Sequence, residues 1–309
     1  YTDKGILIVD VQGKSDPNAF TLAYDYKQPD GTAAVAAGKY LYHLQYNQED
    51  GDWYLKTLLN KDDTPVVNPS VPLYEAYPEI MLGYMKVNTL EERVGNRKWH
   101  IIEDGEPQQH LQYQEGTWFK TEGLSGKYKA DRSTAAPGYD KIISRQDAAT
   151  TVVGGLNLQM GQARARIKSA VGNGKIKSDG KGLGGTMTWY KDNGVYVDTQ
   201  AQAVWFDSDI SSSSSAAAQQ IEGNKGFGYG LSVETGKRIA LKRPHWSWTP
   251  QMQVAYSNVD FDSFSDVNGL AVKRGSADSL QGRLGAALNY EKSYKNENDE
   301  NYRSVKAYG

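Results

Sequence analysis

The sequence predicts an all-β fold of about nine long antiparallel strands, arranged as a bilayer-crossing barrel ahead of a water-soluble sandwich. Three observations carry that reading. From Thr117 onward, apolar and polar side chains alternate with period two over segments of about ten to sixteen residues, where a soluble strand has about five or six. Trp189, Trp205, Trp246, Trp248 and Tyr290 fall toward the ends of these segments, where amphipathic rings meet a membrane–water interface. The polar faces mix Gly, Arg, Lys, Gln and Asn, which suits a narrow lumen around a bulky filler. Periodicity alone leaves both architectures open, because a sandwich buries the same apolar faces that a barrel turns to lipid.

The clearest segment is Val195–Trp205. Val195, Val197, Thr199, Ala201, Ala203 and Trp205 share one face, and Tyr196, Asp198, Gln200, Gln202 and Val204 the other. Asn193-Gly194 directly before it is a tight-turn signal. Like alternation begins at Thr117, with Lys120 and Glu122 on one face, and recurs around Val152–Met160, Ala163–Lys168, Leu183–Trp189, Phe227–Glu234, Trp246–Tyr256 and Ser279–Tyr290. A ninth strand opens at Tyr302–Gly309. Glycines at 226, 228 and 230 let a backbone or large side chain come close.

Composition narrows the function classes. A net charge of -2 gives no basic field for nucleic acid. The chain has no cysteine, so disulfides and thiolate metal sites are excluded. A mean hydropathy of -0.66 and the absence of any long apolar run exclude spanning helices but not spanning strands. Tyr1 does not open a secretory signal, so the chain reads as mature, trimmed or partial.

Before the barrel pattern come short strands at turn spacing: Gly5–Val11, Ala19–Ala23, Gly38–Leu44 and Trp53–Lys56, divided by Gln28-Pro29-Asp30-Gly31 and Glu49-Asp50-Gly51-Asp52. Such a piece is small for an independent globule and reads as the capping end of a longer β stack. Residues 60–72 hold three prolines and read as a linker. Tyr77, Ile80, Met81, Tyr84, Met85 and Asn88 then follow helical spacing; with Pro78 in a first turn and Gly95 as a stop, one helix is expected over Tyr77–Val94. Residues 97–115 read as a polar loop.

Three regions carry a family resemblance. Gly5-Ile6-Leu7-Ile8-Val9, Ala19-Phe20-Thr21-Leu22, Gly38-Lys39-Tyr40-Leu41-Tyr42 and Asp52-Trp53-Tyr54-Leu55 resemble the end of a pertactin-type autotransporter passenger. Val71-Pro72-Leu73-Tyr74, Tyr77-Pro78 and Asn88-Thr89-Leu90-Glu91-Glu92-Arg93-Val94-Gly95 are similar to the segment that threads and plugs an autotransporter barrel. Gly194-Val195-Tyr196-Val197-Asp198, Trp205-Phe206-Asp207 and Gly282-Arg283-Leu284-Gly285-Ala286 resemble the translocator barrel itself.

The resemblance implies residues 1–59 as the end of a passenger β-helix, 60–96 as linker and pore helix, and 97–309 as barrel. About nine of the family's roughly twelve strands are present, and the chain is expected to be truncated. It implies an outer-membrane exporter and anchor of its own passenger, with outer-membrane lipid, the barrel assembly machinery and periplasmic chaperones as partners. Tyr77, Met81, Tyr84, Asn88, Glu91 and Arg93 are expected in the pore helix. Arg164, Arg166, Asp198, Gln200, Gln202, Gln251, Gln253 and Arg283 are expected to face the lumen, and Trp53, Tyr54 and Leu55 to assist passenger folding.

No enzyme site emerges. His43, His100, His110 and His245 have no helical metal spacing, and Glu103-Asp104-Gly105-Glu106 lacks calcium-loop spacing. Gly180–Gly185 reads as a glycine-rich strand and not a phosphate loop. No catalytic residue, metal or cofactor is expected. Asn88 could cyclise, as in relatives that cut the passenger loose, though it lacks their second asparagine. A soluble adhesin or lectin-like domain is the alternative, with a secreted hydrolase third.

Overall fold

The computed structural model describes residues 5–23, 26–27, 31–94, 115–126, 130–146, 150–169, 172–212, 220–266, 269–295 and 302–308. The first unit is a five-stranded sheet: β1 Ile6–Val9, β2 Tyr26–Lys27, β3 Ala33–Ala37, β4 Tyr40–Tyr46 and β5 Trp53–Thr57. Its order is β1-β5-β4-β3-β2, and every pairing is antiparallel. Trp53 is buried, edge-on to Phe20 at 5.5 Å and tilted against Tyr46 at 5.2 Å. Ala19–Ala23, expected as a strand, makes no ladder. The unforeseen strand is Ala33–Ala37, whose small side chains let Ala34 pack on Leu41 and Val66.

The proline-rich stretch before the helix is docked, not free. Leu41 N–H donates to Val66 O and Asn68 N–H to Lys39 O, both at 2.8–2.9 Å. Proline's missing N–H costs nothing at these edge positions.

The expected single helix is two. α1 spans Val71–Tyr84 and α2 Leu90–Val94. Pro72 occupies the first turn of α1, where its missing N–H is harmless, and Pro78 lies inside the helix. The start therefore falls earlier than the sequence spacing indicated. Val71, Leu73, Tyr74, Ala76, Tyr77, Ile80, Met81 and Tyr84 are all buried, more than one stripe of the helix. A helix apolar over so much of its girth is surrounded on several sides.

What surrounds it is a second sheet. Its strands are β6 Gly116–Gly126, β7 Ala130–Gln146, β8 Thr150–Lys168, β9 Asn173–Lys191, β10 Val195–Ser212, β11 Gln220–Lys237, β12 Ile239–Ala240, β13 Trp246–Phe261, β16 Gly275–Lys295 and β17 Tyr302–Tyr308. A two-residue hairpin, β14 Phe264–Ser265 with β15 Ala271–Val272, lies between β13 and β16. The order β17-β16-β13-β11-β10-β9-β8-β7-β6 follows the chain, with β12 added beside β13. All ladders are antiparallel. Among the described residues β6 and β17 form the two edges of the sheet and do not pair with each other. The residues expected as a loop between α2 and β6 lie mostly outside the described residues, as do His100 and His110.

The sheet has two chemically distinct faces. Leu156, Leu158, Met160, Leu231, Val233, Met252, Val254, Leu280 and Leu284 point away from the helix and are exposed, Leu284 at 83%. Val197, Trp205 and Trp248 share that exposure. Val195 to Trp205 covers about 33 Å along a strand, or about 25 Å along a barrel axis at a tilt of about 40°. That height matches the apolar band of an outer-membrane barrel. Trp205 with Phe227 at 5.6 Å, and Trp246 with Tyr290 at 5.2 Å, mark the two ends of the band. So large an uncovered apolar surface is incompatible with water on that side. The sandwich alternative fails here, since nothing among the described residues packs on this face.

Candidate functional site: the helix seat inside the sheet

The other face holds the helices, and it has two zones. The first, around α1, is apolar. Leu73, Tyr77, Ile80 and Met81 pack against Ala163, Ala165 and Ile167 of β8, Ile176 of β9, Val204, Phe206 and Ile210 of β10, and Val259 and Phe261 of β13. A Cβ at Gly226 would lie 2.4 Å from Met81 Cε, and one at Gly228 2.9 Å from Met85 Sδ. These glycines leave room for the methionines, as their spacing predicted. Hydroxyls in this zone find partners: Tyr77 donates to Asn224 at 3.1 Å, Tyr84 to Gly180 O at 3.2 Å, and Tyr74 to Asp266 at 3.2 Å. The β14–β15 hairpin closes over the helix start, with Phe264 5.1 Å from Tyr74.

The second zone is polar and sits where the helix breaks. A helix end leaves its last carbonyls unpaired, and in a closed interior each needs a donor. Here the donors come from across the sheet. Arg132 on β7 donates to Gly83 O at 3.2 Å and Tyr84 O at 2.8 Å. Gln202 on β10 and Ser257 on β13 donate to Met85 O at 2.8 and 3.2 Å. Gln200 and Gln253 donate to Asn88 O at 2.8 and 3.0 Å.

α2 then restarts with two caps. Thr89 N–H donates to Glu92 Oε2 at 2.9 Å while Glu92 N–H donates to Thr89 Oγ1 at 3.2 Å, a reciprocal capping box. Leu90 N–H donates to Glu234 of β11 at 3.0 Å; Glu234 is fully buried and also accepts from the Tyr196 hydroxyl at 2.8 Å. Arg93 closes the zone. It pairs with the fully buried Asp198 at 2.5 Å and donates to Thr188 and Thr186 at 3.1 and 3.2 Å.

Of the residues expected to face the lumen, Asp198, Gln200, Gln202, Gln251, Gln253 and Arg283 lie on the sheet face that carries the helices. Gln251 approaches the Tyr196 hydroxyl at 3.2 Å, and Arg283 lies 3.6 Å from Glu92. Arg164 and Arg166 do not. They share the outward face of β8 with Leu156, Leu158 and Met160, while Ala163, Ala165 and Ile167 face α1. The apolar phase reverses along this strand because its far half has left the apolar band, so water lies outside and the helix inside. Of the helix residues, Tyr77, Met81, Tyr84 and Arg93 are buried, and Asn88 and Glu91 half-buried. Sequence reasoning did not single out Arg132, Glu122, Tyr196 or Glu234. Glu122, Tyr196 and Glu234 were on the correct polar faces, and attention to carboxylates in an otherwise neutral face would have found Glu234.

The model of the autotransporter β-domain family matches residues 112–308. The chain belongs to the autotransporter family. It is 37% identical over 315 residues to the adhesin BmaC autotransporter of Brucella suis, covering 93% of this chain and 9% of that protein. It is 29% identical over 114 residues to the pertactin autotransporter of Bordetella parapertussis, covering 37% of this chain and 12% of that one. Among solved structures, the β domain of the Bordetella autotransporter BrkA is 22% identical, with a TM-score of 0.49, over 58% of this chain and 73% of that one. The chain thus spans about a tenth of the length of these curated relatives. The family match covers β6 to β17, so the sheet is this chain's autotransporter β-domain.

Proposed function

We propose that the chain exports a passenger through the interior of this sheet and that α1 and α2 then fill it. One observation carries the reading: the carbonyls of Gly83, Tyr84, Met85 and Asn88 are met by side chains from three strands of the surrounding wall. A wall built to hydrogen-bond a bare backbone suits a chain that passes and then stops. The tight Asp192-Asn193-Gly194 turn marks the periplasmic end, and the hairpin end, where Pro69 approaches Gly172, the cell surface. Residues 1–59 then lie outside as the passenger end, with Trp53, Tyr54 and Leu55 nucleating its folding; 60–96 are linker and pore helix, and 97–309 barrel. Outer-membrane lipid, the barrel assembly machinery and periplasmic chaperones are the partners this role requires. Within hydrocarbon the edges of β6 and β17 need pairing. The test is conductance across a planar bilayer: deleting residues 73–94 should open a steady pore, and unchanged conductance refutes the plug.

A second reading is self-cleavage at Asn88. What favours it is that the Asn88 carbonyl accepts two amide donors while its Nδ2 donates to Glu122 at 3.2 Å. Attack of Nδ2 on that carbonyl carbon would form a succinimide and break the bond to Thr89. Glu122 would take the proton from Nδ2, the Thr89 nitrogen would gain one, and water would later open the ring. Mass spectrometry of mature protein decides: a new amino terminus at Thr89, lost in Asn88→Asp, supports it, and one intact chain removes it.

A further inference from the structure

Beyond the outward aromatic ring formed by Trp205 and Phe227, the exterior of β8 and β9 becomes basic. Arg164, Arg166 and Lys168 project from β8, and Lys175, Lys177 and Lys181 from β9. The antiparallel register sets Arg164 directly across from Lys177 and Arg166 directly across from Lys175. Like charges directly opposite on one sheet face repel, and a sequence free to vary there would avoid two such rungs in succession. Carboxylates offset part of the patch. Asp179 pairs with Lys177 at 2.7 Å, Asp131 lies across from Arg164, and Asp209 lies across from Lys177. Arg166, Lys168, Lys175 and Lys181 have no carboxylate opposite them on the described neighbouring strands, where they face Lys175, Asn173, Arg166 and Ser211, and Met160 and Trp205. With Asp207, which lies across from Asp179 and pairs with Lys225, seven cations face four carboxylates, and the excess stays positive.

Its position selects a ligand. Lys181 stands level with Met160 and Trp205, at the last apolar rung; Arg164 and Lys177 follow four residues on, Arg166 and Lys175 six, and Lys168 eight, so the patch reaches about 26 Å along the strands, or about 20 Å along a barrel axis at a tilt of about 40°. That is deeper than a phospholipid headgroup region of about 5 to 8 Å and suits a head of several sugars, on a ligand whose acyl chains run down past Leu158 and Leu183. Both of these side chains are exposed.

We infer that the outward face of β8 and β9 binds a phosphorylated glycolipid of the outer leaflet, its phosphates on the Arg166–Lys175 rung and its neighbours. Guanidinium and ammonium groups recognise phosphate by charge-assisted hydrogen bonds, and the two paired rungs supply adjacent donors of both kinds. The inference rests on the reading of this end as the cell-surface end of a translocator. It differs from that reading in demanding phosphate specificity.

The test uses the full-length protein purified in detergent. Binding of bisphosphorylated lipid A is followed by native mass spectrometry or thermal shift, against dephosphorylated lipid A and phosphatidylglycerol. Wild type should prefer the bisphosphorylated lipid about tenfold or more. The triple variant Arg164→Gln, Arg166→Gln, Lys175→Gln should lose that preference, Arg166→Lys should keep it, and Lys237→Gln at the opposite end should not alter it. Heat-modifiable migration on gels confirms that each variant is folded. Equal binding of both lipid A forms by a protein that fractionates with outer membranes overturns this inference alone. A protein that remains soluble without detergent overturns the translocator reading. Retention of the preference in the triple variant places the phosphates elsewhere and also refutes the site.

Discussion

Removing Arg93 is the sharpest probe of how the helices are held. Arg93 and Asp198 are both buried, the latter fully, and breaking such a pair by deleting one partner costs about 3 to 5 kcal/mol because a charge is stranded. Asp198 keeps two donors, the Thr188 hydroxyl at 2.5 Å and the Gln200 amide at 2.9 Å, which places the expected cost at the lower end, about 3 kcal/mol. At 1.4 kcal/mol per decade this shifts the ratio of seated to unseated α2 by roughly a hundredfold. Planar-bilayer recordings of Arg93→Ala should therefore show a conducting fraction roughly a hundred times that of wild type. Arg93→Met with Asp198→Leu removes both charges and should sit close to wild type, because no ion is left unpaired. If the single variant stays within twofold of wild type, or if the double variant conducts as much as the single, the ion pair is not what holds α2 to the wall.

Three further outcomes are expected. Gly180→Val places a side chain where a Cβ alone lies 2.6 Å from the Tyr84 ring, so it should cost about 1 to 3 kcal/mol and raise conductance without blocking barrel assembly, read by heat-modifiable gel migration. Trp53→Ala empties the aromatic cluster with Phe20 and Tyr46 and should cost the first unit about 3 to 5 kcal/mol, seen as slower acquisition of protease resistance by the surface passenger. His43 is half-buried opposite Lys56, and burial first, then that ammonium, lowers its pKa below the ordinary 6.5. The folded unit thus favours neutral imidazole: its contribution is complete above about pH 6.5 and is lost as pH falls through the lowered folded value. A urea midpoint followed by Trp53 fluorescence should drop between pH 7.5 and pH 5 in wild type and less in His43→Gln.

The barrel strands were legible wherever one strand met one solvent on each face. Val195–Trp205 is such a case, with the outer face taking the odd residues and the polar interior most even ones. β8 was not, because Thr150–Lys168 leaves the apolar band part-way, and its alternation changes sign at about Ala163. It therefore reads as two short strands. β7, Ala130–Gln146, was missed altogether: its inward residues are Arg132, Thr134, Ala136, Gly138 and Asp140, a run with no apolar phase and with Pro137 between. One strand split and one overlooked left the total near nine for compensating reasons. The helix break at Met85–Thr89 was out of reach for a different cause. Lys86-Val87-Asn88 does not forbid a helix, and what stabilises the open turns is Gln200, Gln202, Gln253 and Ser257, more than a hundred residues away in sequence.

In the proposed export, the two zones of the interior let one lumen pass many sequences and retain one. A chain in transit presents backbone N–H and C=O groups whatever its side chains are; Arg132 can donate to any of the carbonyls, and Gln200, Gln202 and Gln253 can bond either group, so the polar zone offers no selectivity. The apolar zone does, because Ala163, Ala165, Ile176, Val204, Phe206 and Val259 gain only from an apolar surface pressed against them. An extended polar segment leaves that surface unsatisfied, whereas Leu73, Tyr77, Ile80 and Met81 come around on successive turns of α1 and cover it. Burying each of those side chains is worth about 1.5 to 3 kcal/mol, so four of them outweigh any single hydrogen bond available lower down. The chain stops where helix and apolar wall coincide, and the polar zone below then caps the carbonyls that the stop exposes.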